Sequence, residues 1–275
     1  MPLIVVPTPL GNLGDMTRRA IEALRDADLI VAEDTRVARK LLNAYEIGPK
    51  ELWSYREQNA AAVTAGILER AREQRVALVT DAGMPGISDP GSDLIAAARA
   101  HAVAIDVLPG PSALLGAAVL SGFDVRRFIF EGFPPRTPAA RREHFSAALR
   151  AGATTIWYES PQRIVASLAD LGAVAPGAQV FLVREYTKHF EQQLLGTPAA
   201  VAEGLAQPVR GEIAFAVAPY ASAAPAAAID VDGEIDALLE GGASVADVAR
   251  NLARRGAGER RELYARASER KSGRR

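Results

Sequence analysis

Short apolar runs alternate with amphipathic segments along the first part of the chain. Four of these runs predict buried strands, at residues 3–7, 29–32, 76–80 and 104–108. The segments between them carry apolar residues at helical spacing, and they predict helices from Thr17 onward and over 35–44, 60–74 and 91–101. Strands that alternate with helices are typical of a mainly parallel sheet covered on both faces. The pattern therefore predicts an α/β fold.

The alternation continues after about Gly122 with different turn residues. Strands are predicted at 128–132, 154–158, 180–183 and 213–218, and a helix at 161–171. The segment 134–142 (PPRTPAARR) is basic and rich in proline, which predicts an irregular loop.

Four segments follow from this pattern. We predict an N-terminal α/β domain over 1–121, a second α/β domain over 122–219, a linker over 220–243 and a basic tail of two short helices over 244–275. The linker prediction depends on the alanine-, proline- and serine-rich composition of its first part.

Composition excludes several kinds of site. The chain of 275 residues is 49% hydrophobic, which is sufficient for one large domain or two small ones. It has no cysteine and three scattered histidines, so a thiolate nucleophile or a zinc site with cysteine ligands is excluded. No metal is expected, with a carboxylate-bound magnesium ion as the alternative. No signal peptide is evident. The most apolar stretch, over 103–123, is interrupted by Asp106, prolines and glycines, which argues against a membrane span. We expect a cytoplasmic protein that does not enter a membrane.

Charge is unevenly distributed. The net charge is −1, yet residues 244–275 hold ten Arg/Lys and four Asp/Glu residues. Such a basic segment either contacts an anion, often nucleic acid, or is a solvated helix face. The charge count leaves both alternatives open.

Three loops rich in Gly, Pro or Asp follow predicted strands: PTPLGNLGD (7–15), DAGMPGISDPG (81–91) and PGPSA (109–113). Ligands in open α/β sheets bind beyond the carboxyl ends of the strands, and glycine lets a ligand approach the backbone. The loops predict one shared ligand site, with ordinary turns as the alternative. Neither G-x-G-x-x-G after the first strand nor G-x-x-x-x-G-K-[ST] is present, which disfavours a dehydrogenase or a P-loop NTPase.

These three loops and five further motifs, taken in their order along the chain, resemble those of the tetrapyrrole-methylase superfamily. The resemblance is strongest to the branch that methylates a ribose in small-subunit ribosomal RNA. The further motifs are ADLIVAEDTR (27–36), FIFEGFPPR (128–136), WYESPQRI (157–164), VREYTKHFEQ (183–192) and RGEIAFAV (210–217). The resemblance covers about residues 3–219. It implies two α/β domains, a homodimer, and S-adenosylmethionine bound between the domains. It also implies methyl transfer to the 2′-oxygen of a cytidine in the decoding centre of 16S rRNA, on the assembled 30S subunit.

Carried over motif by motif, the resemblance implies a set of cofactor-binding residues. They are Leu10, Asp81, Ala82, Gly83, Gly86, Ser112, Ala113, Glu159, Thr187 and Gly211. Other branches of the superfamily have Gly-Gly-Asp where this chain has Asp81-Ala82-Gly83, which leaves the role of Asp81 open.

A ribose hydroxyl is a poor nucleophile, so a general base is expected. Asp34 and Glu185 are the candidates for the catalytic base, with Glu159 as a third; Asp34 is alternatively a helix cap. Cationic side chains in the same motifs are candidates for RNA binding: Arg36, Arg136, Arg141, Arg142, Arg163, Arg184 and Lys188.

Two other functions remain possible at this point. One is a methylase that acts on a tetrapyrrole carbon, against which the AEDTR and DAG motifs and the basic tail argue. The other is an RNA-binding module without enzymatic activity.

Overall fold

The computed structural model describes residues 2–220, 231–254 and 258–272. The first sheet contains β1 (Leu3–Val5), β2 (Leu29–Ala32), β3 (Glu51–Ser54), β4 (Val76–Val79) and β5 (Ile105–Val107). The helices of this part are α1 (Arg18–Asp26), α2 (Thr35–Ala44), α3 (Ala60–Glu73), α4 (Ser92–Ala100) and α5 (Ala113–Leu120).

The first sheet has the order β3-β2-β4-β1-β5, and all its strand pairs are parallel. Alternate residues of β2 illustrate how both faces are covered: Leu29 and Val31 pack with α3 and α4, whereas Ile30 and Ala32 pack with α1 and α2. The predicted α/β fold is therefore confirmed. Strand β3 was not predicted, because at the sheet edge its residues are exposed or half-buried and its apolar signal is weak.

The second sheet contains β6 (Phe128–Gly132), β7 (Thr154–Glu159), β8 (Val180–Arg184), β9 (Gln192–Gly196) and β10 (Ile213–Val217). The helices here are α6 (Pro138–Leu149), α7 (Ile164–Val174) and α8 (Pro198–Gly204). Its strand order is β6-β7-β10-β8-β9.

Only β6 and β7 pair in parallel; the other three pairs are antiparallel. The mainly parallel arrangement predicted from the first half of the chain therefore does not extend to this half. A parallel connection needs a crossover of a dozen or more residues, and only a short loop joins β8 to β9. Helix α5 packs on the face of this second sheet, through Leu114 and Ala117, although the predicted boundary assigns it to the first domain. The division at residue 121 stays a prediction, and residues 1–220 form one compact unit.

The basic segment 134–142 is partly helical, contrary to the prediction of an irregular loop. Helix α6 starts at Pro138, with Thr137 as the residue before it. Proline is compatible with the first helical position, because that N–H has no partner within the helix. Arg141 and Arg142 therefore belong to a helix, and Arg141 is buried.

Residues 221–275 form a second compact unit with α9 (Val231–Glu240), α10 (Val245–Arg254) and α11 (Arg260–Ser272). Helix α9 corrects the predicted linker, of which residues 221–230 lie outside the described part. Its buried Ile235 joins Val248, Leu252 and Leu263 in a core of this unit. Helical spacing of Val231, Ile235, Leu238 and Leu239 was the missed signal.

Helix α9 also changes the charge of this unit. Between 221 and 275 the chain has ten Arg/Lys and nine Asp/Glu residues, a net of +1. Asp232 binds Arg266 at 2.9 Å, and Asp236 binds Arg270. The excess predicted for 244–275 is therefore largely offset within the unit. No helix in the described ranges is long and apolar enough to span a bilayer.

Candidate functional site

A cavity of about 380 Å³ opens where the ends of strands from both sheets meet in the 1–220 unit. Its volume suits a small-molecule ligand. From the first half, the walls include Leu10, Glu33, Asp81, Ala82, Gly83, Met84, Ile87, Ser88, Asp89, Ser112 and Ala113. From the second half they include Phe133, Tyr158, Glu159, Pro161, Val183, Tyr186, Gly211, Glu212, Ile213 and Ala214.

The loops after β1 and β4 are tied together at this cavity. The backbone of Thr8 donates to Gly83 O at 2.9 Å and accepts from Gly83 N at 3.0 Å. Gly83 has a φ of +82°, and a Cβ there would stand 3.2 Å from Leu10 Cδ2. Glycine is needed because this conformation is strained for other residues and the loop approaches Leu10 closely.

The loop after β5 leads into α5 at the cavity wall. Ser112 is the N-cap residue of α5, and its Oγ accepts a bond from Leu115 N at 3.5 Å. The N-terminus of a helix favours negative charge through its free N–H groups. This wall therefore suits a carboxylate.

Five carboxyl groups line the cavity, and one of them, Glu159, is paired with Arg163; the other four are Glu33, Asp81, Asp89 and Glu212. Burial and the charge of Asp81 raise the pKa of Glu33, and burial and the charge of Asp34 raise that of Asp81. Burial, reinforced by Glu33, Asp81 and Glu212, raises the pKa of Asp89 to about 7. The concentration of negative charge suits a cationic ligand.

Apolar and aromatic side chains form the rest of the wall. Tyr158 makes edge contacts with Phe130 and Phe133, with ring centroids 5.0 and 5.9 Å apart. Burial raises the pKa of Tyr158 to about 12, so its hydroxyl stays protonated at neutral pH. Such a surface suits a planar aromatic group.

Eight of the ten predicted cofactor-binding residues line this cavity: Leu10, Asp81, Ala82, Gly83, Ser112, Ala113, Glu159 and Gly211. Gly86 and Thr187 do not. A Cβ at Gly86 would lie 3.3 Å from Ser92 N, so this glycine packs against the start of α4. Thr187 has a φ of +67°, and its buried Oγ1 has no hydrogen-bond partner.

The three candidate bases are each bonded to neighbouring groups. Asp34 caps α2, and the bonds from Arg36 lower its pKa. Burial would raise the pKa of Glu185, but bonds from Lys188 Nζ and Glu212 N hold it below its ordinary value. Glu159 accepts from Ser167 Oγ at 2.6 Å and from Ser160 N at 2.8 Å. Neither Asp34 nor Glu185 lines the cavity.

Most of the predicted RNA-binding cations also have partners inside the chain. Arg141, only 4% exposed, binds Asp170, which Arg142 also contacts. Arg163 pairs with Glu159 at 3.2 Å and donates to the carbonyls of the Pro134–Pro135 segment.

The other predicted RNA-binding cations differ in their partners and in their exposure to solvent. Arg184 donates to the carbonyls of Arg210 and Phe190. Lys188 pairs with Glu185 and Glu212, and its stem lies against Gly11. Arg36 is paired with Asp34 but 78% exposed, whereas the exposed Arg136 has no side-chain partner among the described residues.

Sequence reasoning missed much of the second half's contribution, including Phe133, Tyr158, Tyr186 and Glu212, as well as Asp89. The first four lie inside the motifs that carry the family resemblance, and Asp89 belongs to the loop over 81–91. Their position in the motifs was the available signal. Among the described residues, no group of three or more His, Asp or Glu side chains is arranged to hold a metal ion.

Comparison with known proteins agrees with this geometry. The family of tetrapyrrole (corrin/porphyrin) methylases matches residues 2–202. Among solved structures, diphthine synthase superposes with a TM-score of 0.61 at 16% identity, covering 79% of this chain and 90% of that one. Uroporphyrin-III C-methyl transferase from Thermus thermophilus, solved with S-adenosyl homocysteine, gives 0.55 at 17% identity, covering 78% and 97%. At these identities the likeness shows the fold, which is that of the tetrapyrrole methylases.

Closer relatives narrow the assignment. A protein of Thermotoga maritima named ribosomal RNA small subunit methyltransferase I is 43% identical, over 70% of this chain and 87% of its own. Proteins of the same name from Mesorhizobium japonicum and Synechocystis are 37% and 36% identical, and the alignments span 91% and 95% of their lengths. The chain belongs to the ribosomal RNA small subunit methyltransferase I family, a branch of the tetrapyrrole methylases.

Proposed function

We propose that this protein is an S-adenosylmethionine-dependent enzyme that methylates the ribose 2′-oxygen of a cytidine in the decoding centre of 16S rRNA. Its substrate is the assembled 30S subunit, and it acts in the cytoplasm as a homodimer. The observation that carries the proposal is the cavity that joins acidic, helix-terminal and aromatic walls. Family membership supports the reaction class.

The cavity residues fit the chemical groups of S-adenosylmethionine. Its sulfonium and ammonium are cations, and Glu33, Asp81 and Glu212 provide an acidic wall for them. Its carboxylate suits the start of α5 at Ser112 and Ala113. Its adenine is planar and suits the wall with Phe133 and Tyr158. When bound, the cofactor supplies an electrophilic methyl group.

The contribution of the protein is mainly positioning. The paired loops at Thr8 and Gly83 hold one side of the cavity, and the ion pair of Arg163 with Glu159 holds the Pro134–Pro135 segment beside Phe133. Correct alignment of two reactants can contribute about 7–11 kcal/mol to the lowering of a barrier. No metal is required for such a displacement.

Exposed cations near the cavity end of the first and second sheets are the candidates for contact with RNA phosphates. Arg36 stands in the first turn of α2, whose cap Asp34 donates its N–H to the cavity residue Asp81 at 3.2 Å. Arg136 follows Phe133 by three residues and is exposed. We expect Arg136, and Arg36 through the guanidinium N–H groups that Asp34 does not bind, to contact phosphate by charge-assisted bonds.

The decisive experiment incubates the protein with methyl-labelled S-adenosylmethionine and 30S subunits that lack the modification. We expect label on one cytidine, in an alkali-resistant linkage, because a 2′-methyl group blocks cleavage at that nucleotide. Free 16S rRNA and uroporphyrinogen III are the comparison substrates. Label on the tetrapyrrole, or on a base carbon of the RNA, would refute the proposed reaction; better labelling of free rRNA would refute the choice of the 30S subunit.

A further inference from the structure

Asp89 differs from the other acidic groups of the cavity in its surroundings. It lies in the loop between β4 and α4, eight residues after Asp81, and it is partly buried. Its carboxylate has no hydrogen bond or ion pair within the described residues, whereas Asp34, Glu159 and Glu185 are each bound by their neighbours. An unpaired carboxylate in a cavity wall is available to a ligand.

The groups that face Asp89 come from strand ends of both sheets. Glu33 follows β2, Asp81 follows β4, Glu212 precedes β10, and Tyr158 is in β7. Three of these neighbours are negative and the fourth is a neutral hydroxyl, so none of them neutralises the carboxylate. The pKa of Asp89 is raised to about 7 by burial and by those three charges.

We infer that Asp89 is the general base that takes the proton from the ribose 2′-hydroxyl. This inference rests on the proposed function. The 2′-oxygen forms a bond to the methyl carbon, the carbon–sulfur bond breaks with its electron pair remaining on sulfur, and the hydroxyl proton passes to Asp89. A base works best when its pKa lies near the working pH, and Asp89 meets that condition. Asp34 and Glu185 have lowered pKa values and do not line the cavity.

The first test needs no turnover. In protein carrying ¹³C-labelled aspartate, the carboxyl signal of Asp89, assigned by its loss in D89N, should titrate with a midpoint near 7. Removal of a facing negative charge in E212Q should move that midpoint to lower pH. A midpoint near 4 in the wild type would overturn the inference.

The second test separates chemistry from binding. In D89N, kcat on 30S subunits should fall about 10²–10⁴-fold at saturating cofactor, while the affinity for S-adenosylhomocysteine changes by less than about 3-fold. The wild-type rate should increase with pH up to about 7 and then level off, and this acid limb should be absent in D89N. D89E keeps a carboxylate and should recover part of the rate.

Two outcomes would overturn the inference and leave the proposed function intact. One is an unchanged kcat in D89N; the other is a loss confined to the affinity for S-adenosylmethionine, which would make Asp89 a ligand of the sulfonium. If the wild type labels no ribose on 30S subunits, the proposed function itself fails. The three cases are distinguished by the wild-type label, the D89N rate and calorimetry with the two cofactor forms.

Discussion

Replacement of Asp170 by alanine should strongly destabilise the second sheet. The Asp170 carboxylate in α7 accepts from Arg141 Nε at 2.7 Å, and its other oxygen pairs with Arg142 NH1 at 2.7 Å. Both Asp170 and Arg141 are buried, whereas the Arg142 side chain is 43% exposed. D170A leaves a buried guanidinium without its counter-charge.

The burial of each partner sets the expected magnitudes. Removing one member of a buried ion pair costs about 3–5 kcal/mol, so D170A should reach this range. Loss of the half-exposed partner in the matched control R142A should cost about 0.2–1 kcal/mol. Arg141 also donates to the carbonyls of Pro135 and Arg136, so R141A should in addition release the segment that leads from Phe133 to α6.

Urea denaturation followed by tryptophan fluorescence measures these differences. The chain has two tryptophans, and Trp157 lies in the core that α6 and α7 share. A W53F background removes the tryptophan of β3 and makes Trp157 the sole reporter. The helical unit, which has its own core and therefore need not unfold with the rest, contains no tryptophan and does not contribute to the signal. With a slope of about 2–3 kcal/mol/M, the midpoint of D170A should fall by about 1–2.5 M.

The effect should depend on pH. Burial opposes ionisation of Asp170, yet the bonds from Arg141 and Arg142 hold its pKa below the ordinary value. Because the pKa of Asp170 is lower in the folded than in the unfolded protein, its ionisation stabilises the fold fully at pH values above the unfolded-state pKa of about 3.9. This stabilisation is lost as the pH falls through the folded-state pKa. The gap between wild type and D170A should therefore narrow below about pH 4. Equal midpoints for D170A and R142A at pH 7 would refute the reasoning.

Three further predictions concern ligands. G83V should remain folded yet lose affinity for the cofactor in calorimetry, because valine at this positive-φ position is strained by about 1–2 kcal/mol and crowds Leu10. The control G152A, at a similar φ with open space around it, should bind the cofactor normally; equal cofactor affinities of G83V and G152A would make Gly83 a simple turn residue. Cofactor binding should be the same in EDTA as in Mg²⁺, and loss on chelation that Mg²⁺ restores would contradict this. R260E/R261E should weaken binding to the 30S subunit and leave cofactor affinity unchanged. The slope of log binding constant against log salt concentration should become shallower by about 0.7–0.9 per lost phosphate contact. The control is R266A, whose arginine already pairs with Asp232, and an equal effect of the two variants would count against docking by α11.

The part of the fold that could be predicted has strong local signals. Strands β1, β2 and β4 are short apolar runs buried on both faces, and a loop of turn residues follows β1 and β4. The antiparallel part of the second sheet could not be predicted in the same way. Edge strand β9 alternates exposed and half-buried residues over only five positions, and the pairing of β10 between β7 and β8 is set by distant contacts.

The residues of the candidate site also differ in how far they could be predicted from local sequence. Residues whose role depends on backbone shape, such as Gly83 and Ser112, are evident from the turn and cap chemistry of their neighbours in the chain. The charge state of a side chain depends on partners in other elements of the fold: Arg141 of α6 is neutralised by the Asp170 carboxylate, 29 residues away in α7, and Glu159 of β7 accepts a hydrogen bond from Ser167 of α7. Sequence motifs therefore point to the residues around this cavity but do not separate its free charges from its paired ones.

This distinction matters for how an RNA reaches an acidic cavity. Phosphate is repelled by the group of Glu33, Asp81, Asp89 and Glu212, so cations outside the cavity must offset that field for the ribose to approach. Most arginines in the motifs are already bound to carboxylates or carbonyls of this chain and hold its segments in shape. The cations that remain exposed and without a side-chain partner in the described 2–220 range include Arg39 and Lys40 of α2, Arg136 and Arg210. Because surface cations on α2 follow directly from the loop that contributes Glu33, we expect the RNA backbone to be held along α2 while the reacting ribose enters between the two sheets.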